Sequence, residues 1–229
     1  VFNGGIGGDT AYDMNKRLDG DIFSKNPTVL MVTFGMNDSG YYEYNGDNAK
    51  EFGEQKYQES IKNFQQMEKR FKELPHTRIV MTGTSPYDET AQIKDNTVFK
   101  KKNETIKRII EYQRESAARN GWEFTDWNAP MVAINQELQQ KDPSFTLCGN
   151  DRIHPDNDGH MVMAYLFLKA QGFAGKDVAN MEINANKKQA VKAEGCTISN
   201  IKKIGKDISF DYLAEALPYP LDTIARGWG

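Results

Sequence analysis

The strongest constraint in this chain is a rhythm. Short apolar or β-branched runs alternate with longer stretches in which apolar residues recur every three or four positions. Thr28-Val29-Leu30-Met31-Val32-Thr33-Phe34 is almost wholly apolar or β-branched, as expected of a strand buried on both faces. Tyr57, Ile61, Phe64, Met67, Phe71 and Leu74 then mark one face of a helix. Residues 78–83 repeat the strand pattern. Val98, Ile106, Ile109, Ile110 and Tyr112 repeat the helical one, ended by Asn120-Gly121. Residues 122–126 read as a short strand, and 131–138 and 158–171 as helices, the last closed by Gly172. Upstream, Val1-Phe2-Asn3 reads as the tail of a strand and residues 10–23 as a helix. This order predicts an α/β fold, with an open, mostly parallel sheet and helices on both faces.

After about residue 175 the pattern changes. Val191, Ile198, Ile201 and Ile204 alternate with polar residues, suggesting two or three antiparallel strands within 189–208. Leu217-Pro218-Tyr219-Pro220 breaks any helix. The expected organisation is a domain over residues 1–175 and a small β-rich extension over 176–229.

Composition removes several classes of function. Lys and Arg total 29 against 32 Asp and Glu, a formal charge of −3, so no basic excess points to nucleic acid. The most apolar stretch, residues 162–168, falls far short of the ~20 residues that span a bilayer. Cys148 and Cys196 allow one disulfide at most and read as two unpaired thiols, with no metal-binding spacing. The opening residues lack the basic and apolar regions of a signal peptide. They also open as if inside a structural element, so the chain is expected to be a fragment of a longer one.

In an open α/β sheet, functional groups collect beyond the carboxyl ends of the strands. Three segments lie there. Asn3-Gly4-Gly5-Ile6-Gly7-Gly8-Asp9-Thr10 follows the first strand tail. Its glycines free backbone N–H groups to approach an anion, although a plain tight turn reads equally well. Neither G-x-G-x-x-G nor a P-loop can be placed on it, so no nucleotide cofactor is expected. Gly35-Met36-Asn37-Asp38 follows the most hydrophobic strand. There an Asn amide can donate to a developing oxyanion, or Asn37 and Asp38 can simply form a turn.

The third segment is Asn150-Asp151-Arg152-Ile153-His154-Pro155. Asp and His three apart can set the carboxylate on imidazole Nδ1 and leave Nε2 free as a general base. A calcium loop fails here, because His154 and Tyr165 would occupy its first and twelfth positions. Zinc through His154 and His160 is possible but uncommon at that spacing, and a helix N-terminus capped by Asp156 or Asp158 is the plain alternative. His76 lies in a turn and reads as surface.

Taken together and in this order, the three segments resemble the SGNH (GDSL) hydrolase superfamily of serine esterases over about residues 1–172. The resemblance implies a flavodoxin-like three-layer α/β/α sandwich and a Ser-His-Asp site. By position it makes the Gly8 N–H and the Asn37 amide oxyanion donors, His154 the base and Asp151 its orienting partner, with no metal and no cofactor. The family's nucleophilic Ser sits in a Gly-Asp-Ser block upstream of the Gly block, and no serine of this chain stands in that context. Ser39 and Ser85, the serines on loops beyond strand ends, read as loop formers. In the flavodoxin-like order the strand carrying that block is interior, so without it the strand at 28–34 presents an unpaired edge. A preceding segment of the same protein is therefore the expected partner, and this fragment alone is expected to be inactive.

Tyr41, Tyr42 and Tyr44 follow the Asn block and Trp127 follows the last strand, so all four are expected to line the cleft. Aromatic faces on polar loops suit a carbohydrate ester, and the resemblance implies an O-acetyl esterase of a bacterium, exported to the periplasm or beyond. A lysophospholipase or thioesterase would need more apolar loops. A glycan-binding protein that lost its nucleophile would have no use for an acid–base pair.

Overall fold

The computed structural model describes residues 1–94 and 96–216. The chain divides into two compact units, residues 1–171 and 172–229. The first holds a parallel sheet of β1 (Val29–Phe34), β2 (Arg78–Gly83) and β3 (Glu123–Asp126), in that order. Val32 pairs with Met81 and Met81 with Phe124. The connections run through α2 (Ala49–Phe71) and α3 (Lys102–Asn120). Helix α1 (Ala11–Arg17) precedes the sheet, and α4 (Asn128–Leu138) and α5 (Asn157–Ala170) follow it. This is an α/β fold of the SGNH type, a mostly parallel core sheet flanked by helices.

The periodicities explain the packing. Phe64, Met67 and Phe71 of α2 interlock with Leu30, Val32 and Phe34 of β1, Ile79 and Met81 of β2, and Ile109 of α3 in one buried cluster. A second cluster joins Trp127, Met131 and Leu147, with Val162, Met163 and Leu166 of α5 against it. Gly83, the last residue of β2, lets α3 settle directly on the sheet, since a Cβ there would lie 2.8 Å from Ile110 Cγ2. Gly121, with φ +67, ends α3 as the Asn-Gly pair predicts.

Three expectations are corrected. Residues 1–3 form no strand. The helix expected over 10–23 ends at Arg17, and a π-helical turn (Leu18–Ile22) and a 3-10 turn (Phe23–Lys25) follow, because Asp19-Gly20-Asp21 is poor helix-forming sequence. β1 is buried on one face only, with Val29 and Met31 about half exposed. It is the edge strand of the described sheet, and an apolar run does not record which face finds cover.

Of the four strands described in the second unit, three begin within 189–208, as expected, and one lies upstream. β4 (Asn180–Asn184) pairs antiparallel with β5 (Gln189–Glu194), and β6 (Cys196–Ile204) with β7 (Asp207–Ala214). β4 escaped notice because Met181 and Ile183 are its only apolar residues. The expected break at Leu217-Pro218-Tyr219-Pro220 lies outside the described residues. Cys148 and Cys196 are both free and buried. No helix among the described residues is long and apolar enough to cross a membrane.

Candidate active site

The Gly-rich segment ends where α1 begins. Thr10 caps that helix, and Asp13 Oδ2 accepts from both the Thr10 N–H and hydroxyl, at 3.2 and 2.6 Å, which holds the Asp13 carboxyl below its ordinary range. Gly8, exposed, has φ +87, a left-handed conformation that side-chain-bearing residues rarely adopt. Its N–H has no partner among the described residues.

Asp38 joins this segment to the Asn block. Its carboxylate is buried and accepts from Ala11 N–H at 3.0 Å, Gly35 N–H at 3.1 Å and the Ser60 hydroxyl at 2.9 Å. Burial raises its pKa, against the pull of those three donors. Asn37, next in the chain, donates through Nδ2 to Asp9 O at 3.1 Å and accepts at Oδ1 from the Tyr41 hydroxyl at 2.6 Å. The amide is thus held at both ends. One Nδ2–H is spoken for by Asp9, and the other is left to serve as a donor.

The third segment builds the acid–base pair locally. Asp151 Oδ1 accepts from the Ile153 and His154 N–H groups, each at 2.9 Å, and Oδ2 lies 2.5 Å from His154 Nδ1. Burial pushes the Asp151 carboxyl up, but the hydrogen bonds from His154 and Ile153 outweigh it, so its net pKa is lowered and it stays ionised. An ionised partner on Nδ1 fixes the tautomer that leaves Nε2 unprotonated. The His154 side chain is 80% exposed, so Nε2 is open to a reacting group.

Tight backbone approaches give this loop its shape. Gly149 has φ +66, and a Cβ on it would lie 2.5 Å from His154 O. Arg152, between the two functional residues, also has positive φ (69°) and is buried. Its guanidinium donates to Asp88 O at 3.1 Å and Ala91 O at 2.7 Å, and its own carbonyl accepts from Asp88 N–H at 3.0 Å. The loop is therefore clamped to the strand-end loop after β2. Tyr41 connects the two sides of the site. Burial and then the charges of Asp151 and Asp38 push its phenol up to about 12, so the hydroxyl remains a donor to Asn37.

The residues expected to line the cleft separate into two groups. Tyr41 is half-buried, and the exposed Tyr42 stacks edge-on against Phe99 with ring centroids 5.5 Å apart. Tyr44 and Trp127 do not line it. The Tyr44 hydroxyl donates inward to Ser39 O at 2.8 Å and lies 2.9 Å from Thr105 Oγ1, while Trp127 Nε1–H donates to Met163 O at 3.1 Å. Both rings are buried and anchor their loops. Ser39 and Ser85 are buried too, and Ser39 Oγ is taken up by Met36 O at 2.8 Å and Lys102 Nζ at 2.6 Å. His76 is exposed. Asp156 caps α5, accepting from Gly159 N–H at 3.1 Å. Among the described residues no group of three or more His, Cys, Asp or Glu side chains is placed to hold a metal ion.

Sequence reasoning missed Phe99, Arg152 and above all Lys102. The Lys102 ammonium is buried at the start of α3 and donates to Met36 O at 2.7 Å, Ser39 Oγ at 2.6 Å and Gly40 O at 2.6 Å. It also sits 3.9 Å from the centre of the Tyr41 ring. Burial draws it down to about 7, against the opposing pull of Asp38 and Glu89. It is concealed in the run Lys100-Lys101-Lys102, which reads as a solvated charged patch.

Comparison with curated protein sequences returned no match. Among solved structures, the chain is similar to Axe2, an acetylxylan esterase from Geobacillus stearothermophilus. The two are 23% identical, with a TM-score of 0.55 over 72% of this chain and 69% of that one. Catalytic mutants of that enzyme replace a serine, an aspartate and, three residues after the aspartate, a histidine. The acetyl xylan esterase AlAXEase is 22% identical, with a TM-score of 0.53 over 72% of this chain and 78% of that one. These likenesses establish a shared fold. The model of the GDSL-like lipase/acylhydrolase family matches residues 1–162, which contain the Gly8, Asn37 and Asp151–His154 segments in order, and the chain belongs to that family of ester hydrolases.

Proposed function

We propose that the protein is a serine esterase that removes O-acetyl groups from carbohydrates, with His154 as general base, Asp151 as its orienting partner, and Gly8 N–H and the Asn37 amide as oxyanion donors. The observation that carries this reading is the 2.5 Å approach of Asp151 Oδ2 to His154 Nδ1 in a side chain whose Nε2 is open to solvent. A serine hydroxyl gives its proton to Nε2 as its oxygen attacks the ester carbonyl. The oxyanion that forms takes hydrogen bonds from Gly8 and Asn37. The protonated imidazole then passes the proton to the leaving alcohol, and water, activated by the same base, releases acetate.

The nucleophile in this reading is a serine in a Gly-Asp-Ser context, which no serine of this chain has, and Ser39 and Ser85, on loops beyond strand ends, are buried. Carbohydrate specificity is supported by the rings of Tyr41, Tyr42 and Phe99 beside Asn37 and by the acetylxylan esterases that share the fold. On this reading the enzyme acts in the periplasm or outside the cell.

The test is intact-mass spectrometry of the full gene product treated with a fluorophosphonate, alongside its hydrolysis of acetylated xylan. An adduct on a serine preceding residue 1, with loss of acetate release, is expected. An adduct on Ser39 or Ser85, or acetate release that persists without any adduct, would overturn the assignment.

A further inference from the structure

The oxyanion donor assigned above has a support of its own, and the catalytic segments do not include it. Asn37 Oδ1 accepts from the Tyr41 hydroxyl at 2.6 Å, and the Tyr41 ring lies with its face 3.9 Å from Lys102 Nζ. The same ammonium donates to Met36 O and Gly40 O, the carbonyls that bracket Asn37 in the loop, and to Ser39 Oγ between them. Lys102 is fully buried and comes from another element, the first turn of α3. Glu89 fixes that turn, its carboxylate accepting from Lys101 N–H at 2.8 Å and Asn103 N–H at 2.7 Å.

We propose that Tyr41 and Lys102 are positioning residues for the Asn37 amide, Lys102 fixing the course of residues 36–40 and Tyr41 polarising and orienting the amide so that its free Nδ2–H points at the developing oxyanion. A hydrogen bond donated to an amide oxygen shifts electron density away from its nitrogen and strengthens the N–H as a donor, the cooperative effect of linked hydrogen bonds. A cation against the face of the phenol strengthens its O–H in the same sense. The oxyanion exists only along the reaction path, so this support acts on turnover and not on substrate binding. The proposal rests on the assignment of Asn37 as an oxyanion donor, and its test separates the two.

The experiment is a double-mutant cycle on acetate release by the full gene product, with kcat and KM measured separately. Asn37→Ala is expected to lower kcat by about 100- to 1,000-fold. Tyr41→Phe removes one oxygen atom and keeps the ring, and is expected to lower kcat about 10-fold with KM within about twofold. The double variant is expected to be no slower than Asn37→Ala alone. Lys102→Met is expected to behave as Tyr41→Phe does, non-additive with Asn37→Ala. Should that variant fail to fold, the Tyr41 cycle still decides.

A kcat for Tyr41→Phe equal to wild type, or a loss that multiplies with that of Asn37→Ala, would overturn the proposal while leaving Asn37 in its role. A loss expressed only in KM would make Tyr41 a substrate contact and overturn it as well. An unchanged kcat for Asn37→Ala would overturn the oxyanion assignment itself, and the proposal with it.

Discussion

Asp38 ties the Asn37 loop to Ala11 and Ser60, 27 and 22 residues away in sequence, whereas Asp151 holds His154 within a single turn of its own loop. The first carboxylate is buried and the second is half-exposed. On the proposed mechanism the contrast follows from what each side must do. An oxyanion donor works by being fixed in place before charge develops, so its position is written into tertiary contacts. A base that exchanges protons with a nucleophile, a leaving group and water needs access, and a local carboxylate suffices to set its tautomer. One aspartate therefore serves folding and, on the proposed mechanism, the other serves chemistry.

The largest effect expected from breaking this division is at the base. His154→Ala should lower acetate release by the full gene product by roughly four to six orders of magnitude. Its urea midpoint should move by no more than about 0.5 kcal/mol of stability, as for an exposed side chain. Exchanging the roles of the two aspartates sharpens the contrast. Asp38→Ala leaves two N–H groups and a hydroxyl without their acceptor and should cost about 3 kcal/mol in urea unfolding. Asp151→Ala should cost under about 1 kcal/mol there, yet lose about 1,000-fold or more in kcat. Equal stability losses for the two would erase the distinction.

A separate expectation, read in stability alone, lies in the pH dependence of Lys102. Its ammonium is drawn down to about 7 in the folded chain, from 10.5 for an unperturbed lysine. Between those values the unfolded chain holds a proton that the folded chain has released, so stability rises with pH in that window. Below about 7 both states are protonated and the contribution is flat. Urea unfolding of wild type and Lys102→Met at several pH values should therefore show wild type gaining on the variant from about pH 7 upward. Parallel profiles would mean that the buried ammonium does not titrate there.

Much of this was legible in the sequence, for reasons that also explain what was not. Residues 78–83 read as a buried strand because a central parallel strand is covered on both faces and leaves no polar alternation. Residues 28–34 carry the same signature, yet Val29 and Met31 are half exposed, because a run of apolar residues describes a strand and not its neighbours. Asp151 and His154 stood out by their three-residue spacing and Asn37 by its place after a strand, while Gly8 was picked out by the family resemblance alone. Tyr44 and Trp127 were misplaced because an aromatic ring on a loop looks the same whether it faces substrate or pins the loop to the core. Lys102 was invisible because its burial arises from carbonyls more than 60 residues away, and neighbouring lysines disguise it.

Gly83 links these observations. With no side chain between β2 and α3, the helix lies as close to the sheet as Ile110 allows. The same helix delivers Lys102, two turns before Ile110, to the loop that carries Asn37. A single methyl group at position 83 would lie 2.8 Å from Ile110 Cγ2 and thus act as a shim against the helix that carries the ammonium. The seat of that ammonium is set in part by an atom that the chain does not have.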